Sequence, residues 1–331
     1  MPGCIPSRTV PPRSSTSSSQ GRLWEFQPFG DRKYSEEKMD NIRISIDSEL
    51  CTLCGQCVAV CPRGIIELTP DSARIKNPDR CMLCGHCKSV CPVDAPQIHA
   101  LNMGEFEPIP GPEKNPEPDD LLSFFRSRRS TRIYKKDAVP LNLLDKMVQA
   151  GRFAPTGGNR QPVRYTILHT PEMIEKTRTL THQYLADEAD KILETAEQHK
   201  TTGVPLPPRF GVRMGYAPLW KSMGKNYRKG KDLLFHFAPA VAVLHADPDI
   251  SSPFCADIGL AAMQMVLMAQ SLGLGTCFCG FLVTAINNCP ELKTALKIPT
   301  ENNAVLCFMI GYPDIAYLRM VSRQPGLINY L

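Results

Sequence analysis

No run of about eighteen uninterrupted apolar residues occurs in this 331-residue chain, so a membrane span is not expected. No dense Lys/Arg run occurs either. The 38 basic and 33 acidic residues leave a formal net charge of +5, mild and dispersed, and no nucleic-acid partner is expected. The seven histidines are scattered without metal-ligand spacing. The N-terminal residues lack the apolar stretch of a secretory signal. Apolar residues, by contrast, make up 43% of the chain, ample for a buried core, and the length fits about two domains.

Cysteine is abundant: fourteen residues, eight of them in a motif that occurs twice, thirty positions apart. The runs are Cys51-Thr-Leu-Cys54-Gly-Gln-Cys57-Val-Ala-Val-Cys61-Pro62 and Cys81-Met-Leu-Cys84-Gly-His-Cys87-Lys-Ser-Val-Cys91-Pro92. Three thiolates spaced two residues apart wrap one face of an iron–sulfur cube, and a fourth, followed by Pro, is directed to the other cluster. The repeat predicts two [4Fe–4S] clusters with crossed ligation, Cys51, Cys54, Cys57 and Cys91 on one, Cys81, Cys84, Cys87 and Cys61 on the other. A lone CxxC would be compatible with zinc or a redox dithiol, but two triads plus two singles fit tetrahedral zinc poorly. Gly55 and Gly85 permit the tight turn around each cluster, and Pro62 and Pro92 end it. Oxygen-sensitive clusters argue for a reducing interior, so a cytoplasmic location is expected.

Residues 1–38, rich in Ser, Pro and Arg, carry no acid before Glu25. An organelle-targeting segment has that composition, but a disordered tail or a start codon read too early accounts for it better, because Met39 directly precedes the first ordered-looking stretch. Residues 39–103 form the duplicated cluster domain, with β-like stretches at 43–46 and 73–76 at matching offsets. Residues 104–118, five prolines and two glycines in fifteen, read as a semi-rigid linker. A second domain, 119–331, mixes helix and strand: helices over 121–128, 141–153 and 255–272, strands over 164–169, 237–245 and 303–311. The helix at 255–272 is apolar almost all round, hence central or at a subunit interface. Residues 171–235 are not resolved by periodicity. The basic stretch at 221–231 is read as a solvated loop, and Cys255, Cys289 and Cys307 as core residues.

Clusters deliver electrons singly, whereas most organic reductions take pairs, so the second domain should hold a group that converts between them; a flavin does so. Four motifs carry a resemblance: residues 127–132 (Ser-Arg-Arg-Ser-Thr-Arg), 154–162 (Ala-Pro-Thr-Gly-Gly-Asn-Arg-Gln-Pro), 272–281 (Leu-Gly-Leu-Gly-Thr-Cys-Phe-Cys-Gly-Phe) and 311–313 (Gly-Tyr-Pro). Over about 119–331 the chain resembles the FMN-dependent nitroreductase family, and as a whole it looks like the ferredoxin–nitroreductase fusions of anaerobic microbes. The resemblance implies an α+β fold, a small ferredoxin-like two-cluster domain followed by a mainly antiparallel sheet flanked by helices. It implies FMN with its phosphate on Arg128, Arg129 and Ser130, a cation at the pyrimidine edge from Arg132, and ring contacts from Thr156, Gly157, Asn159 and Gln161, often across a dimer interface. The backbone N–H groups of Cys279 and Gly280 match positions facing the ring, and Arg323 one closing on the phosphate. Cys277 and Cys279 are more readily two packed residues than a redox pair. Val163, Cys279 and Val321 depart from residues many members carry, so substrate choice does not transfer.

The resulting expectation is a homodimeric FMN-dependent oxidoreductase, without a catalytic side chain, that reduces a nitroaromatic, quinone or activated alkene. A low-potential electron donor protein feeds the clusters, with NAD(P)H secondary. Two alternatives stand beside it: a reductive dehalogenase or enone reductase on the same fold, and a non-enzymatic electron carrier or redox sensor.

Overall fold

The cysteine repeat folds as two matching halves. Gly55 and Gly85 share a left-handed backbone, φ 75° in each, at the start of the short helices α1 (Gln56–Val60) and α2 (His86–Ser89). Strand β1 (Ser45–Ile46) pairs antiparallel with β4 (Pro96–Gln97), and β2 (Ile66–Leu68) with β3 (Ala73–Ile75), so each two-stranded ribbon joins one strand from each half. Ile44, Ile65, Ile66, Cys87 and Ile98 form a small core between them. This computed structural model describes residues 43–207 and 210–331; residues 1–38, read above as a tail, lie outside the described residues.

After α3 (Pro118–Ser127) and α4 (Leu141–Arg152) the chain builds a three-layer unit. Its elements in order are β5 (Arg164–Leu168), α5 (Pro171–Thr202), α6 (Phe210–Arg228), β6 (Ala240–Ala246), α7 (Phe254–Ser271), β7 (Gly275–Phe278), α8 (Gly280–Asn288), α9 (Pro290–Ala295) and β8 (Asn303–Gly311). The four strands pair antiparallel in the order β5-β6-β8-β7. Every residue of β6 is buried, because the sheet is covered on both sides. Successive side chains alternate faces. Ala240, Ala242 and Leu244 enter the core with α4 and α7, while Val241 and Val243 enter the core with α5, α6 and α8. The α+β expectation, with a mainly antiparallel sheet between helices, is met. Arg43–Leu331 forms one compact unit, so the cysteine-rich segment and the sheet pack within the same body.

Within the stretch 171–235 lie two helices packed on each other, α5 of 32 residues and α6 of 19. Thr170 Oγ1 accepts from the Met173 N–H at the start of α5, and Gly203 ends it with φ 70°. The buried face of α5 includes Arg178, Thr181 and His182. Counted as polar, these residues hide its helical period. Part of the basic stretch read as a loop is thus the end of α6, where Lys221 pairs with Asp190 at 2.5 Å and Tyr227 stacks on His182. Cys307 is buried as expected, but Cys255 is exposed. It sits on the outer face of α7 with Ala256, Leu260 and Met263. Among the described residues α7 is the one helix long and apolar enough to cross a membrane; Ile258, Ala261, Ala262, Met265 and Val266 bury its inner face against the sheet and α4.

Two buried charge centres tie the layers together. Burial on its own raises the Asp232 carboxyl, but His182, the N–H groups of Phe237 and Phe235 and the Arg178 guanidinium outweigh it and hold it at about 2. The His182 contact, at 3.9 Å, is too long for a hydrogen bond, so the backbone donors and Arg178 at 2.9 Å carry most of that effect. At the far end of β6, His245 is flanked by Thr166 and Asn302, 3.2 and 2.7 Å away. Burial, with the Arg164 and Lys293 charges adding, pushes it down to about 4. A folded pKa below the unfolded one means that the unfolded chain takes up the proton first, so stability falls as pH drops from about 6.5 towards 4. Urea unfolding at stepped pH should lose about 3 kcal/mol across that window. His245→Gln should flatten this slope; an undiminished slope in the variant would show that another group titrates there.

Candidate functional site

The eight cysteines of the repeat line two cavities, and the sets are crossed. Cys51, Cys54, Cys57 and Cys91 line one of about 350 Å³, counting space open to solvent; Cys61, Cys81, Cys84 and Cys87 line the other, of about 340 Å³. Among the described residues no three His, Cys, Asp or Glu side chains converge on one point, as a single metal ion requires. Four thiols standing around a volume, each able to take a separate iron, suit a cluster instead. Burial pushes the Cys87 thiol up to about 11, and the neighbouring Cys84, Cys81 and Cys61 raise it further against the opposing Lys88 N–H. Mutual repulsion of this kind is relieved by a positive group at the centre. The donor set therefore fits iron–sulfur clusters.

The cationic elements of the second candidate site gather at the C-terminal end of α7. Helix α3 stops at Ser127, and Arg128 is already extended, with φ −60° and ψ 133°. The Thr131 N–H donates to the Thr276 carbonyl at 2.9 Å, which lays residues 128–132 along the edge strand β7. In an extended segment alternate residues share a side, so Arg128, Ser130 and Arg132 face away from Arg129 and Thr131. Thr131 packs so closely on β7 that a Cβ on Gly275 would lie 2.4 Å from its Oγ1, which is why this strand begins with glycine. Gln270 Nε2, near the end of α7, donates to Phe124 O and Ser127 Oγ at 2.7 and 2.8 Å.

Charge at this corner is incompletely matched. Arg129 Nη1 donates to the Arg128 carbonyl, but its Nε and Nη2 are buried without a partner. An unpaired buried guanidinium is costly, and a phosphate is an anion of the right geometry to satisfy it. The residues present thus fit the FMN phosphate. Burial raises the Cys277 thiol, with Arg132, Ser130 and Arg128 lowering it, which places all three beside this strand. The backbone N–H of Cys279 donates to the Cys307 carbonyl at 2.8 Å, which leaves Gly280, first residue of α8 and without an intrahelical partner, as the free donor of the pair. The Cys279 thiol is pushed up to about 12, chiefly by burial, so it is neither an acid nor a thiolate near neutral pH. Arg323 lies on the exposed C-terminal segment, where its Nη1 donates to the carbonyl of its neighbour Ser322.

The third element, residues 156–161, sits elsewhere. The Gly157 N–H donates to Asp257 Oδ1 at 2.9 Å, and Ser251 Oγ holds Oδ2 of the same carboxylate at 2.8 Å. This anchors the loop at the N-terminal end of α7. A Cβ on Gly157 would meet Pro253 at 2.5 Å. Asn159 and Gln161 both adopt left-handed backbone, φ 54° and 50°, and the Gln161 N–H donates to Thr156 Oγ1. Asp257 and Gln270, which anchor the two elements, are separated by about 20 Å of helix rise. Within one chain, then, Arg128, Arg129, Ser130, Arg132, Cys279 and Gly280 come together, and Thr156, Gly157, Asn159 and Gln161 form a second group. Sequence reasoning missed Tyr317, whose hydroxyl donates to the Ser130 carbonyl at 3.3 Å, and the two anchors. Asp257 and Gln270 were detectable as polar interruptions of an apolar helix; nothing in the sequence singled out Tyr317.

Known proteins agree with this division. A family model described as "Nitroreductase family" matches residues 125–312, and one described as "4Fe-4S dicluster domain" matches residues 50–95. Iodotyrosine deiodinase 1 of Rattus norvegicus is 24% identical over 217 residues, 62% of this chain and 66% of that protein. Iodotyrosine deiodinase of Nematostella vectensis is 20% identical over 235 residues, 69% of this chain and 81% of that protein. The chain spans about two thirds of the length of the first of these relatives. Among solved structures, a nitroreductase with bound FMN from Bacteroides fragilis superposes with a TM-score of 0.50 at 19% identity, covering 64% of this chain and 98% of that one.

The close approach of Gly275 to Thr131 generates a test. Gly275→Ala should cost about 1–3 kcal/mol of stability by forcing residues 128–132 off the sheet edge, and should lower flavin retained per purified chain. Full stability with full flavin content would show that the edge strand does not position the Arg cluster.

Proposed function

Because this chain belongs to the nitroreductase family, a family of FMN-dependent oxidoreductases, and joins to it a 4Fe–4S dicluster segment, we propose that it is an enzyme that draws electrons through two [4Fe–4S] clusters to FMN and reduces a small organic acceptor. When bound, the clusters supply electrons singly and the flavin pairs them for the acceptor. The observation that carries this reading is the pair of crossed thiol quartets folded into the same compact unit as Arg129, whose Nε and Nη2 are buried without a partner.

The chain's own groups have the following parts. Arg128 and Ser130 hold the phosphate from one side of the extended segment, Arg129 meets it from the other side through the free end of its long guanidinium side chain, and Arg323 reaches it if the exposed C-terminal segment folds inward. Arg132 sets a positive charge at the pyrimidine edge, and Gly280 offers its N–H to the ring. Thr156, Gly157, Asn159 and Gln161 come from a second copy, since within one chain they stand at the opposite end of α7. The exposed apolar stripe Ala256, Leu260 and Met263 on that helix supports a homodimer. No side chain serves as nucleophile, and with the Cys277 and Cys279 thiols both raised, neither is a ready thiolate. Free thiols throughout suit a reducing, cytoplasmic setting. A low-potential electron carrier is the donor, with NAD(P)H secondary.

Nitroaromatics, quinones and activated alkenes are the first acceptor classes. A second reading, reductive dehalogenation of a halogenated aromatic, is favoured by the deiodinase relatives. Purification without oxygen, with iron, sulfide and flavin counted, should give about eight irons per chain. Reduction by NADH, NADPH or a low-potential donor, followed by a panel of nitro, quinone, enone and haloaromatic acceptors, then ranks donors and substrates. Cys91→Ala should damage the cluster of Cys51, Cys54 and Cys57 and spare the other. Iron-free protein, or reduced protein that passes electrons to a partner protein but to no small acceptor, would overturn the enzyme reading.

A further inference from the structure

We propose that the two cluster sites are unequal in role: the Cys61, Cys81, Cys84 and Cys87 site is the flavin-side one, held there by the Asn159 carboxamide, and the Cys51, Cys54, Cys57 and Cys91 site is the inlet for electrons from outside. This ordering rests on the function proposed above and adds a positioning residue and a direction to it.

The geometry is specific. Asn159 Nδ2 donates to the carbonyl oxygens of both Met82 and Leu83, at 3.0 and 2.9 Å. These are the two residues between Cys81 and Cys84. Two carbonyl acceptors fix which end of the amide faces them, because the amide oxygen in that place would meet two like dipoles. The contact also explains why the chain holds Asn159 at φ 54°, a conformation Asn tolerates better than most residues. A second strap runs alongside: Arg152, at the end of α4, pairs with Glu105 at 2.6 Å. The loop expected to line the isoalloxazine is thus bonded directly to the loop that carries two ligands of one cluster.

The internal repeat supplies its own control. Equivalent positions in the two runs share backbone geometry, with Leu53 at φ 57° and Leu83 at φ 54°. Their surroundings differ. Thr52 and Cys54 are exposed where Met82 and Cys84 are half-buried, and Gly55 is half-buried where Gly85 is buried. Phe106 covers Gly85 so tightly that a Cβ there would lie 3.0 Å from its ring. Leu50 and Leu68 remain exposed on the side of the first site. Among the described residues no side-chain hydrogen bond or ion pair joins residues 119–331 to the loop of Thr52 and Leu53, whereas three, from Asn159 and Arg152, tie them to the second half and the segment after it. One copy of the motif is therefore turned to solvent and the other to the flavin-bearing body. A low-potential one-electron donor supplies the reducing equivalent at the exposed site, and the flavin accepts it; one electron moves per event, and no bond forms or breaks.

The test uses the whole anaerobic holoprotein, in wild-type form and as Asn159→Asp and Asn159→Gly. The first is isosteric and turns the donors into acceptors; the second keeps the left-handed backbone and removes the amide alone. Reduced methyl viologen is the donor, loss of flavin absorbance is followed by rapid mixing, and electron paramagnetic resonance reads the reduced clusters. Both variants should retain wild-type iron, slow reduction of the flavin that stays bound by about tenfold, the scale of two lost hydrogen bonds, and displace one of the two cluster signals while the other stays. Unchanged rate and signals would overturn the ordering. So would loss of flavin with both cluster signals intact, which makes Asn159 a flavin ligand only. Absence of iron or flavin from the wild-type chain would overturn the function as well, and is seen before any variant is made.

Discussion

Helix α7 is the constraint on which both candidate site elements depend. Its inner face is packed into the sheet through Ile258, Ala262 and Met265, so its two ends are fixed relative to the strands. Two of the polar residues the helix carries sit near those ends and face the site loops: Asp257 holds Gly157, and Gln270 holds the last turn of α3 just before Arg128. A polar residue on an apolar helix costs desolvation unless it is hydrogen-bonded, and here each such bond also places a functional loop. The same rod that stabilises the fold separates the two groups of candidate flavin contacts, which is the physical reason for assigning them to different copies of the chain.

The cysteine repeat shows how a duplicated sequence acquires two roles. Identical ligand spacing and matching left-handed glycines give two equivalent cavities. What differs is the contact each copy makes outside the repeat. Phe106 and Asn159 close over the second run, and among the described residues the first has only Leu68 in ordinary contact at the equivalent glycine. Burial matters for a redox centre because the dielectric and hydrogen bonding around it set its potential and its access to donors. Equal chemistry in unequal surroundings is sufficient to impose a direction on electron flow.

Elsewhere the fold holds charge in its interior by pairing it. Asp232 collects backbone N–H groups and the Arg178 guanidinium, and His245 stays neutral between Thr166 and Asn302. Arg129 departs from this habit with two unpartnered nitrogens. Arg178 Nε also lacks a well-formed hydrogen bond but lies 2.9 Å from the Asp232 carboxylate, whereas the two free Arg129 nitrogens face no carboxylate among the described residues and are prepared for an anion.

Periodicity and spacing alone determined a good deal of this protein. The three closely spaced cysteines of each run are local, so their spacing was legible, whereas tertiary packing carries Cys91 to Cys51, Cys54 and Cys57, and Cys61 to Cys81, Cys84 and Cys87, as the motif led one to expect. Strand β8 and helices α4 and α7 were legible because their apolar patterns are strong. The Ser-Arg-Arg-Ser and Gly-Gly-Asn motifs were equally visible as sequence. The α5–α6 pair was not, because its buried face uses polar residues: Arg178 and His182 meet Asp232 and Tyr227 from far along the chain, and Thr181 is satisfied by the Thr177 carbonyl one turn back. Nor did the motifs reveal that Asn159 reaches Met82 and Leu83, that the Cys279 N–H is taken by Cys307, or that Cys255 faces outward. Each of these depends on which surfaces meet once the layers pack. Local spacing decides what a segment can bind; only tertiary packing decides which cluster stands next to which loop, and therefore where an electron goes.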